Sequence, residues 1–200
     1  MTSRPTSNRI ILSFLVFAAG FAAGQTSAAP VESAYTKIKI ESCTTVSEHE
    51  LGATWKCPGF AGIPVFVAES DLRFFVSYGA NGTEEKAFQV TPPNFNSINE
   101  TLEWRYEIRE GKRLPFATIL RFFIDREGQN KRGQVLIVTR LGTNSTCHIA
   151  YIDARATKNA NTLARDIADT RSRTFDCRQE PTIHGAPDAD TVNFWETTIR

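Results

Sequence analysis

Apolar positions recur along this chain with two periods. Over residues 116–124 they alternate, with Phe116, Thr118, Leu120, Phe122 and Ile124 on one face and Ala117, Ile119, Arg121 and Phe123 on the other. A period of two marks a strand. Residues 135–138 are an unbroken β-branched and leucine run, expected of a strand covered on both faces. Residues 146–154 form a third strand, with Cys147, Ile149 and Tyr151 on one side. The polar stretch 125–133 is a long hairpin loop, and Gly142-Thr143-Asn144-Ser145 is a turn cluster. The period then changes. Ala160, Leu163, Ala164, Ile167 and Ala168 recur at spacings of three and four and make one helical stripe. Thr157 and Asn159 are N-cap candidates, Arg165 and Asp169 sit four apart on the outer face, and Arg171 and Arg173 suit the negative end of the dipole. A short, alanine-rich stripe does not hold a helix alone in water, so this one lies on the sheet.

The earlier chain is strand-rich. After a leader over 30–34, residues 35–40 alternate, with Ile38 and Ile40 opposite Lys37 and Lys39. The acidic stretch 41–52 is expected to be a loop, 54–57 a short strand, and Pro58-Gly59 a turn. Residues 62–68 and 72–78 form a hairpin whose second strand points Leu72, Phe74, Val76 and Tyr78 one way. Asn81-Gly82 is a turn, and the Pro92-Pro93 stretch 91–97 a surface crossover. Residues 102–108 form a further strand, with Leu102, Trp104, Tyr106 and Ile108 alternating with Glu103, Arg105 and Glu107. Residues 178–200 are polar and proline-containing at first, an extended tail that Phe194 and Trp195 dock.

Residues 1–29 follow a different logic. Arg4 and Arg9 precede an apolar run over 10–19, far short of the ~20 residues of a membrane span, and small residues follow. That order is a secretory signal peptide. Three regions result: a signal peptide at 1–29, a single α+β domain at 30–177 and the tail. Loss of Arg4 and Arg9 takes the formal charge from +1 to −1. A near-neutral domain has no global attraction to nucleic acid or anionic lipid. The 14 phenylalanines supply ample material for a core.

All four cysteines lie in the exported part, which implies two disulfides. Three connectivities exist. The local pairs Cys43–Cys57 and Cys147–Cys177 are expected, because each brackets a compact unit. Neither pair has the short spacing that zinc sites favour.

Trp55-Lys56-Cys57-Pro58-Gly59, Gly62-Ile63-Pro64-Val65, Asp71-Leu72-Arg73 and Tyr78-Gly79 form one half of a larger pattern. The segments 115–121, 147–154 and 164–169 form the other. Together they resemble a group of uncharacterised exported proteins of alphaproteobacteria. The resemblance covers most of the chain after residue 29. It implies a periplasmic setting and assigns no activity and no catalytic residue.

Candidate chemistry is sparse. Glu48-His49-Glu50 lacks a second metal ligand at a fixed offset. His148 and Asp153 lie five apart on one strand and face opposite sides. Asp153, near the end of an interior strand, is expected to pair with Arg121 or Arg155; the competing reading is a catalytic carboxylate. Arg105, Arg109, Lys112 and Arg113 are interleaved with Glu103, Glu107 and Glu110, as on a solvated strand edge. Trp55, Tyr78, Trp104 and Tyr106 fit a core, with a carbohydrate or peptide groove as the alternative. No Gly-x-Ser-x-Gly, Ser-x-x-Lys or phosphate-loop pattern occurs, and no cofactor is implied.

The expected fold is α+β: a mostly antiparallel, curled sheet of six to eight strands with one C-terminal helix on a face and two disulfides. The expected function is non-catalytic binding of an envelope partner or small ligand in the periplasm or outside the cell. The alternative is a periplasmic hydrolase using carboxylates such as Asp153 and Asp125.

Overall fold

The computed structural model describes residues 1–2, 30–125 and 132–185. The signal-peptide region, the tip of the 125–133 loop and the Phe194-Trp195 contact lie outside the described residues. Ten strands occur among those described, in two sheets. Strands β2 (Thr44–His49), β3 (Gly52–Phe60), β4 (Ile63–Ser70) and β5 (Arg73–Tyr78) form an antiparallel meander. The larger sheet contains β1 (Val31–Lys37), β6 (Asn96–Arg109), β7 (Lys112–Ile124), β8 (Gly133–Arg140), β9 (Cys147–Asp153) and β10 (Thr182–His184). Its order is β1-β6-β7-β8-β9-β10, antiparallel except for the parallel β9–β10 pair. One helix, α1 (Ala160–Arg171), follows β9.

The α+β class therefore stands, with the strands divided between two sheets. Three layers result. Val65, Val67, Val76 and Tyr78 of the small sheet meet Leu102, Trp104, Leu120, Phe122 and Ile137 of the large one. On the far face, Ala117, Ile119, Val138, Ile149 and Ile152 meet Ala160, Ala164, Ile167 and Ala168 of α1. Strands β7 and β8 are thus covered on both sides, which explains their nearly continuous apolar sequences.

Several boundaries differ from the sequence reading, each for a physical reason. The expected loop 41–52 contains β2, an edge strand whose six residues are all exposed, so no apolar alternation marks it. β1 begins at Val31, inside the expected leader. Asn96 begins β6 inside the expected 91–97 crossover and is buried, its side chain bonding the Pro92 and Asn94 carbonyls and the Phe74 N–H. Pro58-Gly59 is not the turn. β3 runs through it as an irregularity between Cys57 and Phe60, and the chain reverses at Ala61-Gly62. Gly59 is required there, because a Cβ would lie 1.9 Å from the Ile63 carbonyl oxygen. Leu72 is not part of β5; with Asp71 it forms the turn, at φ 58°. In β9 the register slips at Ile149, between Thr139↔His148 and Val138↔Ala150. That bulge turns Tyr151 toward the inter-sheet core while Cys147 and Ile149 face the helix. Asn159 occupies the N-cap position in the left-handed region and makes no side-chain cap bond.

The two disulfides are Cys43–Cys57 and Cys147–Cys177, with Cα separations of 4.3 and 5.8 Å. The second ties the start of β9 to the chain beyond α1.

Helix and sheet are also joined by charge. Arg165 and Asp169 are not on an outer face. Arg165 grips the Glu103 carboxylate through Nε (2.7 Å) and Nη2 (3.1 Å). Arg105 grips Asp169 through Nε (2.8 Å) and Nη2 (2.6 Å). Arg173 reaches Glu107 at 3.4 Å and lies 3.7 Å over the Phe116 ring. The partners advance by two residues on β6 and by four on the helical side. Two strand residues rise ~6.7 Å and four helical residues ~6 Å, so the periods match. β6 is an interior strand, and Glu103 and Arg105 are buried beneath α1. The solvated-edge reading of this run is thereby corrected for Arg105.

Candidate functional site

The sequence-derived candidates do not converge on one site. Trp104 is fully buried, donates Nε1–H to Thr36 Oγ1 (2.8 Å) and meets Tyr78 edge-on at 5.6 Å. Tyr106 donates its hydroxyl to Glu32 (2.6 Å) and packs on Phe60. Asp153 is buried at the end of β9, and its Oδ1 accepts the N–H groups of Arg155 (2.8 Å) and Ala156 (3.1 Å). These two bonds close a side-chain-to-backbone turn at the end of β9. Arg121 donates to Gln134 (2.8 Å) and Asn161 (3.0 Å), and Arg155 to the Arg132 carbonyl (3.0 Å). Asp125 pairs with Arg132 at 2.7 Å. His148 is buried with Nδ1 2.9 Å from the Tyr151 hydroxyl; burial pushes its pKa down to about 3, reinforced by the charge of Lys86. Glu48, His49 and Glu50 are exposed. Among the described residues no three His, Cys, Asp or Glu side chains are grouped to hold a metal ion.

The geometry instead singles out a cleft of about 330 Å³ where the end of β5 meets the β8–β9 turn. Three walls enclose it. The first is Tyr78 to Glu85, which leaves β5 through Gly79 at φ 101° and enters 3₁₀ turns over Gly82–Glu84 and Lys86–Gln89. The second is the turn Leu141 to Thr146, tightened by the Thr146 hydroxyl donating to the Gly142 carbonyl (3.0 Å). Ile63 and Pro115 supply the third wall.

Two backbone-directed bonds lock the first segment to the second. Thr146 donates its N–H to Glu85 Oε2 (2.8 Å), and Ala87 donates its own to the Thr146 carbonyl (3.1 Å). At the rim, the Asn81 amide bonds that of Asn144 at 3.2 Å. The cleft therefore has an apolar wall of Ile63, Tyr78, Pro115 and Leu141, an amide rim and one buried carboxylate. The Tyr78 hydroxyl is held protonated by burial, its pKa raised well beyond the ordinary tyrosine range.

Sequence reasoning missed Glu85, Leu141 and Thr146. One signal was present: Asn81-Gly82 and Gly142-Thr143-Asn144-Ser145 are both turns, and turns gathered at one end of a sheet structure are where ligand groups collect.

A second surface lies on different loops. Leu51, Leu72 and Phe95 are 70, 61 and 49 % exposed. Their segments are bridged by Asp71 N–H to the Leu51 carbonyl (3.4 Å) and Asn96 N–H to the Leu72 carbonyl (3.0 Å).

Fold and cleft together define a disulfide-clamped, two-sheet α+β domain with a recess of small-molecule size. No protein-family profile, curated protein or solved structure matches the chain.

Proposed function

We propose that this is a non-catalytic, exported binding protein of the periplasm, and that the cleft between Tyr78, Glu85, Leu141 and Thr146 holds a small ligand. The observation that carries the reading is the cleft itself: apolar walls, a few convergent polar groups, and a volume of about 330 Å³. Small-molecule sites share this make-up and span roughly 300–1,000 Å³. Export is supported by the order of residues 1–29 and by the two disulfides. No described helix is long and apolar enough to cross a membrane.

Native mass spectrometry of the protein isolated from the periplasm tests both parts. The chain is expected to begin between Gln25 and Pro30 and to carry a small molecule that leaves on gentle activation. A chain retaining Met1 contradicts export, and a bare chain at every stage of purification contradicts the ligand reading.

A further inference from the structure

We infer that the cleft takes an organic cation, with the Glu85 carboxylate as its counter-ion. This rests on the reading of the cleft as a small-ligand site and adds the class of ligand.

Glu85 is only 7 % exposed and lines the cleft. Its carboxylate accepts one backbone N–H, from Thr146. A carboxylate offers about four acceptor positions, so one donor leaves most of its capacity unused. Among the described residues it has no ion-pair partner. The neighbouring Lys86 does not line the cleft and donates to the Cys177 carbonyl at 3.0 Å. Arg140, whose Nη2 lies 3.2 Å from where a Cβ of Gly142 would stand, does not line the cleft and donates to the Phe175 carbonyl. A charge taken out of water without an opposite charge is expensive, and buried charges are paired or bound to cations. The position where a cation would complete the arrangement is the cleft.

The cation is organic rather than a metal ion. Glu85 is the one acidic residue lining the cleft, whereas hard cations take six or more oxygen ligands. Ile63, Tyr78, Pro115 and Leu141 give a wall suited to a carbon body. The Asn81 and Asn144 amides at the mouth suit a second polar group. A primary ammonium or guanidinium on a compact apolar body meets all of these features.

The test uses three probes that share one ring: benzylammonium, benzyl alcohol and benzoate. Each is titrated into ¹⁵N-labelled full-length mature protein while the Thr146 and Ala87 amides are followed. Benzylammonium is expected to bind at least tenfold more tightly than either of the others. Glu85→Gln keeps an acceptor for Thr146 N–H, so it should fold and lose at least tenfold in benzylammonium affinity. If Glu85→Gln does not fold, the wild-type salt dependence decides: raising NaCl from 20 to 500 mM should weaken benzylammonium severalfold and leave benzyl alcohol unchanged. Equal binding of benzylammonium and benzyl alcohol, or full affinity in Glu85→Gln, overturns the cation assignment and leaves the cleft a ligand site. No response of the cleft amides to any probe overturns the site as well.

Discussion

The ion pairs between α1 and β6 make a quantitative prediction. Arg105 and Asp169 meet through two parallel bonds of 2.8 and 2.6 Å, with side chains 10 and 26 % exposed. Removing one partner of a fully buried pair costs ~3–5 kcal/mol, mostly because the other charge is left unpaired. Asp169 retains some water, so Arg105→Met should cost about 2–3 kcal/mol. Asp169→Leu should cost less, about 1–2 kcal/mol, because the Arg105 guanidinium keeps the Glu103 carboxylate at 3.8 Å and the Ser33 hydroxyl. Replacing both removes the stranded charge, and apolar substitutes of similar volume are often neutral. The double variant should therefore lie within about 1 kcal/mol of wild type, a coupling of roughly 2–5 kcal/mol (the two single costs less the double's). Glu103 remains served in that variant by Arg165 and Ser33. Urea denaturation of the four proteins at constant ionic strength gives the cycle, provided the m-values agree. A double variant as unstable as the sum of the two single losses would refute the reasoning, since the pair would then be two independent surface contacts.

Other expectations follow from individual sites. Gly59→Ala should cost about 3 kcal/mol or abolish folding, because its Cβ would collide with the Ile63 carbonyl and the Trp104 ring; thermal melting decides, and a change under 1 kcal/mol contradicts the close approach. His148 binds a proton in the unfolded chain near its ordinary pKa but in the folded chain only near about 3, so its effect is nil above pH ~6.5 and stability falls as pH drops toward 3. Between pH 6.5 and 4.5 the loss should be about 2–3 kcal/mol, and His148→Gln should remove that part of the slope in a pH series of urea melts. An unchanged slope sinks this account of His148. The Cys147→Ser/Cys177→Ser double variant should raise amide exchange in α1 more than in β8, because the bond ties the chain beyond the helix to β9; uniform acceleration contradicts a local clamp.

Strands were legible where burial is one-sided or complete. Leu102, Trp104 and Tyr106 announce β6, and the run from Val135 to Val138 announces β8. β2 was illegible because Thr44 to His49 are all exposed, so pairing with β3 alone maintains it. The leading face of Leu72 was misread because its backbone is left-handed, a conformation no leucine pattern announces. Charges at 103, 105 and 107 alternate in sign, and those at 165, 169 and 173 alternate in the complementary order. That signal was present, but alternating charge on a strand ordinarily marks a solvated face. Asp153 stood out as a buried acid, but the backbone N–H groups of Arg155 and Ala156 that its Oδ1 accepts were not legible. Glu85 gave no signal, because a glutamate in a polar stretch is buried only by the tertiary approach of Thr146.

The claim that the cleft is the functional site is tested most directly by a map of amide shifts. The ¹⁵N-labelled protein is mixed with the small-molecule fraction of a periplasmic extract, and every amide is followed. The expected result is a saturable perturbation centred on Tyr78, Asn81, Glu85, Leu141 and Thr146. A perturbation centred instead on Leu51, Leu72 and Phe95, with the cleft amides unmoved, would contradict it.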